Sequence, residues 1–198
     1  MRMNDFEIKL RGMARSFTTI VPIISIIIGF LFRENFGLFL GAFLLICDFI
    51  NHYVKKFFKI KVYNVGKDNE KDSLWLIGRG KRPEGAKHCG SFINENDMNG
   101  KATSFGMPSG HSQMAVTVAF MIIMFLANQY GGDARNIIAM FLVALLAIGI
   151  LISRWWMGCH TWGQIGVGSV FGIMYGLMGW FLFKGLFLSS SSVDVDET

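Results

Sequence analysis

Five long apolar runs, at about residues 17–32, 36–52, 109–129, 136–153 and 163–188, constrain this chain more than any other feature. Each is close to the roughly 20 residues an α-helix needs to cross the hydrocarbon core of a bilayer. A helix satisfies its own backbone donors and acceptors, and lipid offers them no other partner. The first two runs are short and the second contains Asp48, so both are read as spans that extend or tilt. Composition points the same way: 52% of residues are hydrophobic and 17% charged, where a soluble domain carries about a quarter charged. Three cysteines exclude a disulfide-dense secreted scaffold. The expected fold is an all-α integral membrane bundle of about five transmembrane helices.

Residues 1–16 are read as a polar N-terminal segment and 17–188 as the membrane domain. The tail 189–198 (SSSSVDVDET) is polar, acidic and expected to be disordered. The run 17–32 ends in Phe32-Arg33-Glu34 without a small-residue cleavage site, so it is not read as a signal peptide. The one long hydrophilic segment, 53–108, carries 11 Lys/Arg against 6 Asp/Glu and supplies most of the +5 net charge. No nucleic-acid-binding fold accompanies that charge, so no nucleic-acid partner is expected. The expected partners are the bilayer and, for the basic loop, anionic lipid or a phosphate substrate. Nothing in the residues points to a protein partner.

Alternating five spans brings three polar motifs to one membrane face. These are Arg82-Pro83, Pro108-Ser109-Gly110-His111 and Ser153-Arg154-x5-His160-x3-Gln164. Ser109 is a plausible N-cap of the third span, whose first-turn amides are free donors for an anion. Gly110 allows close approach to the backbone. Arg82 and Arg154 offer planar forks suited to phosphate oxygens. His111 and His160 titrate near neutrality, so one can attack while the other donates a proton. Gln164, one turn after His160, can hold its imidazole. Arg154 and His160 would point about 240° apart on one unbroken helix, so the chain must bend between them, with Gly158 the natural place. Gly168, Gly172 and Gly176 form a stripe read chiefly as helix packing.

The other polar residues are read blandly. His52 and His88 are solvated, Cys47 is a packing residue, and Asp48 pairs with a loop lysine. His88-Cys89 has too few ligands for a metal site. Cys159 carries no mark of a nucleophile, and Trp155 and Trp156 fit an interfacial belt. No carboxylate cluster of the kind that holds Mg²⁺ is visible, so no metal and no cofactor is expected.

Pro-Ser-Gly-His followed by Ser-Arg-x5-His resembles the type 2 phosphatidic acid phosphatase/haloperoxidase superfamily. The flanks Phe105-Gly106-Met107-Pro108-Ser109-Gly110-His111-Ser112-Gln113 and His160-Thr161-Trp162-Gly163-Gln164 look like dolichyldiphosphatases. The resemblance covers about residues 47–180. It implies a metal-independent phosphatase acting on polyprenyl (dolichyl) diphosphate, with phosphatidate or another lipid phosphate as the alternative. It implies His160 as the nucleophile that forms a phosphohistidine and His111 as the acid for the leaving oxygen. The basic residues and the Ser109-Gly110 turn would hold the phosphoryl group. A non-catalytic lipid-binding protein on the same fold is the reading from a different class, disfavoured because the motif histidines and arginines are all present.

The chain departs from the family pattern twice. The first motif is normally Lys-x6-Arg-Pro, but Trp75 stands seven before Arg82. The preferred replacement is Lys55, with 57–78 as an insertion; Arg79 and Lys81 are local alternatives. Gln164 stands where many members have Asp. Orientation is contested. On five spans, 16 of 19 Lys/Arg fall on the site side, with Arg33, Arg135 and Lys184 opposite. The positive-inside rule makes that side cytosolic, whereas the resemblance implies a lumenal site in an endoplasmic reticulum membrane.

Overall fold

The computed structural model describes residues 5–86, 89 and 105–188, and side chains from Arg11 onward. It contains five long helices: α1 (Asp5–Phe32), α2 (Asn35–Phe57), α3 (Gly110–Tyr130), α4 (Ala134–Trp156) and α5 (Trp162–Phe183). Short π-helical turns, Phe58–Val62 and Lys184–Leu188, extend α2 and α5. All five helices are long and apolar enough to cross a membrane. The protein is an all-α integral membrane bundle.

The first helix begins earlier than its apolar run. α1 starts at Asp5, so most of the segment read as polar is its first three turns. Charged residues there sit at a helix end, where long side chains reach the headgroup layer. The tail 189–198 and His88 lie outside the described residues.

α3 is the central helix. It packs most extensively against α5, and α1 pairs chiefly with α2. Leu40, Phe43, Leu44 and Cys47 of α2 meet Met114, Val118 and Met121 of α3 in the main apolar cluster. Phe36 stacks on Phe125 at 4.0 Å and meets Phe183 edge-on at 5.2 Å, tying α2, α3 and α5 together at the end away from the site. α4 is peripheral, and Arg154 is its one buried residue. Its exposed Ile137, Phe141, Leu142 and Leu146 make sense only against lipid tails.

The glycine stripe on α5 is what lets α3 and α5 approach. A Cβ at Gly168 would lie 2.5 Å from the carbonyl oxygen of Ser109, and one at Gly172 2.5 Å from that of Gln113. One at Gly176 would meet Phe120. With no hydrophobic driving force between helices in lipid, packing relies on small residues that let backbones make close van der Waals contact. The stripe thus packs, as read from its spacing, and sets the start of α3 against α5.

Between α2 and α3 the chain leaves the bundle and returns. After the turn at 58–62 it forms a two-stranded hairpin, β1 (Ser73–Leu74) with β2 (Gly78–Arg79). Tyr63, almost fully buried, donates its hydroxyl to the Gly78 carbonyl at 2.9 Å and packs edge-on against Phe105. That anchor returns the excursion to the bundle just before Arg82.

Candidate active site

Local rules at two helix ends build the centre. α4 closes with Met157, and Gly158 takes φ +67°, a conformation glycine adopts without penalty. Gly158 N–H donates to the Trp155 carbonyl at 2.8 Å and Cys159 N–H to the Arg154 carbonyl at 3.0 Å. This nested pair is a Schellman motif. It is the bend expected at Gly158, and it carries His160 back beside Arg154, whose carbonyl also accepts from His160 N–H at 3.2 Å. Thr161 then caps α5, and with Gln164 it forms a reciprocal capping box.

Gln164 fixes the imidazole of His160. Its Nε2 donates to the carbonyls of Arg79 and Lys81, both at 2.8 Å. Two such acceptors set the amide orientation, so Oε1 faces His160 Nδ1 at 3.0 Å as acceptor. His160 therefore carries its proton on Nδ1 and keeps a lone pair on Nε2. That nitrogen lies 3.0 Å from Arg82 Nη1, which donates as well to the Cys159 carbonyl at 2.9 Å.

The surroundings keep His160 neutral. Burial first, then the charges of Arg82, Arg154 and Lys55 with His111, hold its pKa well below the ordinary imidazole value. Burial also lowers Arg82, to about 10, which leaves it charged at neutral pH. Arg154 is fully buried. Its Nη2 donates to the Cys89 carbonyl at 2.9 Å, while Nε and Nη1 have no hydrogen-bond partner among the described residues. Buried donors are almost always paired, so two guanidinium nitrogens left open, close enough for their charge to act on His160, are suited to an anion.

Ser109 caps α3 as its position suggests. Its hydroxyl oxygen accepts from Ser112 N at 3.4 Å and Ser112 Oγ at 2.9 Å. Its own amide donates to the Gln164 carbonyl at 3.1 Å, joining the start of α3 to the start of α5. The Gly110 and His111 amides open the helix, where no intrahelical acceptor exists. The space a side chain would need at Gly110 is filled by Asn51, whose Nδ2 would lie 2.5 Å from a Cβ there.

The structure separates the candidates for the second cation. Lys55 ends α2 close enough for its charge to act on His160. Arg79 is exposed and pairs with Glu84 at 3.8 Å, and Lys81 pairs with Glu70. Arg79 and Lys81 reach the centre through their backbone carbonyls, not their charges.

Three features escaped the sequence reading. His111 is buried, and its Nε2 contacts the Arg15 carbonyl of α1 at 2.8 Å, so the first helix borders the site. Arg11 lies over the Trp156 ring at 4.8 Å. Cys89 and Cys159 form a disulfide. None of the three had a local signal; a fourth, the capping box, is legible as Thr161-x-x-Gln164.

Fold and site define a membrane helical bundle with a buried histidine–arginine cluster at one face. The chain matches the family model described as the PAP2 superfamily over residues 74–187, more than half its length, and it belongs to that family. It is 25% identical over 185 residues to a protein of Dictyostelium discoideum named Dolichyldiphosphatase 1, covering 89% of this chain and 66% of that relative. The chain thus spans just under two thirds of that relative's length. No solved structure matches.

Proposed function

We propose that this chain is a lipid phosphatase that hydrolyses a polyprenyl diphosphate of the dolichyl type through a phosphohistidine on His160. The observation that carries the reading is the open donor set of buried Arg154, close enough for its charge to act on His160, whose proton is held on Nδ1 by Gln164. The preference for a polyprenyl diphosphate rests on the Dictyostelium discoideum relative, named Dolichyldiphosphatase 1, and on the residues flanking the two histidines.

Phosphoryl transfer asks mainly for positioning and charge stabilisation. Arg154, Arg82, Lys55 and the amides of Gly110 and His111 hold the terminal phosphoryl oxygens. His160 Nε2 attacks phosphorus; the P–N bond forms as the bond to the bridging oxygen breaks. His111 protonates that leaving oxygen. Its Nε2 faces the Arg15 carbonyl, so Nδ1 is the nitrogen left to serve the leaving group. Water then attacks the phosphohistidine, His111 takes its proton, and inorganic phosphate leaves. The cationic donors supply the charge compensation a divalent metal gives elsewhere, so turnover proceeds without one.

We place the protein in the endoplasmic reticulum membrane with this face lumenal. A disulfide at the site favours an oxidising compartment. The Lys/Arg excess on the same face, which argues for the cytosol, includes the residues assigned to phosphate.

The test is phosphate release by purified protein from dolichyl diphosphate, phosphatidate and diacylglycerol diphosphate, with and without EDTA. Dolichyl diphosphate should give the highest kcat/KM, unaffected by chelation. Preference for phosphatidate would overturn the substrate assignment, and loss with EDTA restored by Mg²⁺ would overturn the metal-free mechanism. Rapid quench with labelled substrate should trap phosphoenzyme in the wild type and none in His160→Ala. Label trapped in His160→Ala but not in His111→Ala would reverse the two roles.

A further inference from the structure

The disulfide between Cys89 and Cys159 joins residues 70 apart in sequence. Both are buried, in a small cluster with Ala86 and Met157. Free cysteines at such a place would be ordinary packing residues. What distinguishes this pair is what their backbones do. The Cys89 carbonyl accepts from Arg154 Nη2, and the Cys159 carbonyl accepts from Arg82 Nη1, each at 2.9 Å. Each half of the disulfide thus presents its carbonyl to one of the two buried arginines.

These contacts close a ring. The Arg154 carbonyl accepts from Cys159 N at 3.0 Å, the disulfide joins Cys159 to Cys89, and the Cys89 carbonyl returns to the Arg154 side chain. A guanidinium is a rigid fork of five donors, so holding one nitrogen restricts the directions in which the others point. Among the described residues, the Cys89 carbonyl is the one hydrogen-bond acceptor for the Arg154 side chain. His160 follows Cys159 directly in the chain, so the same bond fixes where the imidazole starts. The chain at Arg79 to Arg82 is already held here by Gln164 and the Cys159 carbonyl, and the disulfide fixes Cys89, a few residues further on.

We propose that Cys89 and Cys159 are positioning residues whose disulfide aims Arg154 and Arg82 at the phosphoryl group beside His160, so that phosphate binding and turnover require the oxidised pair. The proposal rests on the phosphatase reading above. A dithiol reverses the state: the S–S bond breaks, two cysteine thiols form, and the reductant leaves as a cyclic disulfide. The Cys89 carbonyl then loses its covalent tie to the Cys159 turn that carries Arg154. Misplacement on the scale of 1 Å costs about 100-fold in rate at a well-oriented site.

The experiment uses the full chain in detergent as oxidised wild type, dithiothreitol-reduced wild type and Cys89→Ser/Cys159→Ser. Maleimide labelling counts thiols in each form, and circular dichroism checks helix content. The readouts are kcat, KM and the dissociation constant for inorganic phosphate, which needs no turnover. Reduction should weaken phosphate binding by about tenfold and lower kcat by about 10- to 100-fold with helix content retained. Reoxidation should restore both. The double variant should show the same losses and ignore the reductant, which covers the case of a reductant that cannot reach the buried bond. Phosphate affinity and kcat within twofold of wild type in the reduced form or the double variant would overturn the proposal. So would labelling of Cys89 and Cys159 in the unreduced protein. An oxidised protein that neither hydrolyses a lipid phosphate nor binds phosphate would instead sink the phosphatase reading, and this proposal with it.

Discussion

Gly168→Ala adds one methyl group, and the structure says where it goes. Its Cβ would lie 2.5 Å from the Ser109 carbonyl oxygen and 3.2 Å from the Ser109 amide nitrogen. Both are backbone atoms at the cap of α3, so no rotamer change relieves the contact. Reaching a tolerable separation of 3.0–3.4 Å requires a backbone shift of about 0.5–0.9 Å. Overpacking of this kind costs about 1–3 kcal/mol, and the displaced turn carries the Gly110 and His111 amides. Against a cost of about 100-fold per ångström of misplacement, kcat/KM should fall by about 10- to 100-fold. Gly166→Ala is the control: it lies on the same helix with nothing within 4 Å of the added atom. It shares the gain in helix propensity, about 1 kcal/mol, so the difference between the variants isolates the contact. Thermal unfolding in detergent and kcat/KM on a lipid diphosphate measure both effects. Gly168→Ala matching Gly166→Ala in both would refute the claim that α5 sets the turn proposed to bind phosphate.

Lys55→Ala should cost about 2–4 kcal/mol of transition-state stabilisation, roughly 30- to 1,000-fold in kcat/KM, whereas Arg79→Ala, losing only its contact with Glu84, should cost much less; the reverse order would show that the first motif is local. Gln164→Glu replaces the amide that donates to the Arg79 and Lys81 carbonyls with a group that cannot donate when ionised, so kcat/KM should drop and the acid limb of activity should move to higher pH; an unchanged limb would remove Gln164 from the control of His160. In the wild type that limb should lie well below pH 6.5, since burial and the nearby cations depress the His160 pKa and only the neutral ring has an attacking lone pair; a His160-dependent midpoint at or above 6.5 in a pH series would contradict the environment described.

What was legible in the sequence was local. Five apolar runs give five spans because lipid leaves a backbone few options. Ser109 caps α3, Gly158 turns the chain, and Gln164 holds the following helix and the preceding histidine because each acts over fewer than five residues. The polar stretch from Asp5 to Arg15 hid how far α1 extends beyond its apolar run, since a helix end in the headgroup layer tolerates that charge. Spacing favoured Lys55 over Arg79 and Lys81 without showing where the other two point: the partners that draw them outward, Glu84 and Glu70, are read only in three dimensions.

The features that were not legible share a cause. The Arg15 carbonyl meets His111 across 96 residues, and Cys89 meets Cys159 across 70. No periodicity or spacing rule acts over such distances, and a disulfide pairing also depends on the compartment. Yet these long contacts bear on the central groups that the short motifs leave free. The motif residues supply His111, Arg154 and His160, but a histidine nitrogen or a guanidinium fork can point several ways. Gln164 settles His160 from four residues off, whereas the Cys89 carbonyl settles Arg154 and the Arg15 carbonyl settles His111 from elsewhere in the fold. The chemistry of the site is therefore written in its motifs, and the aim of its side chains in contacts that only the folded bundle creates.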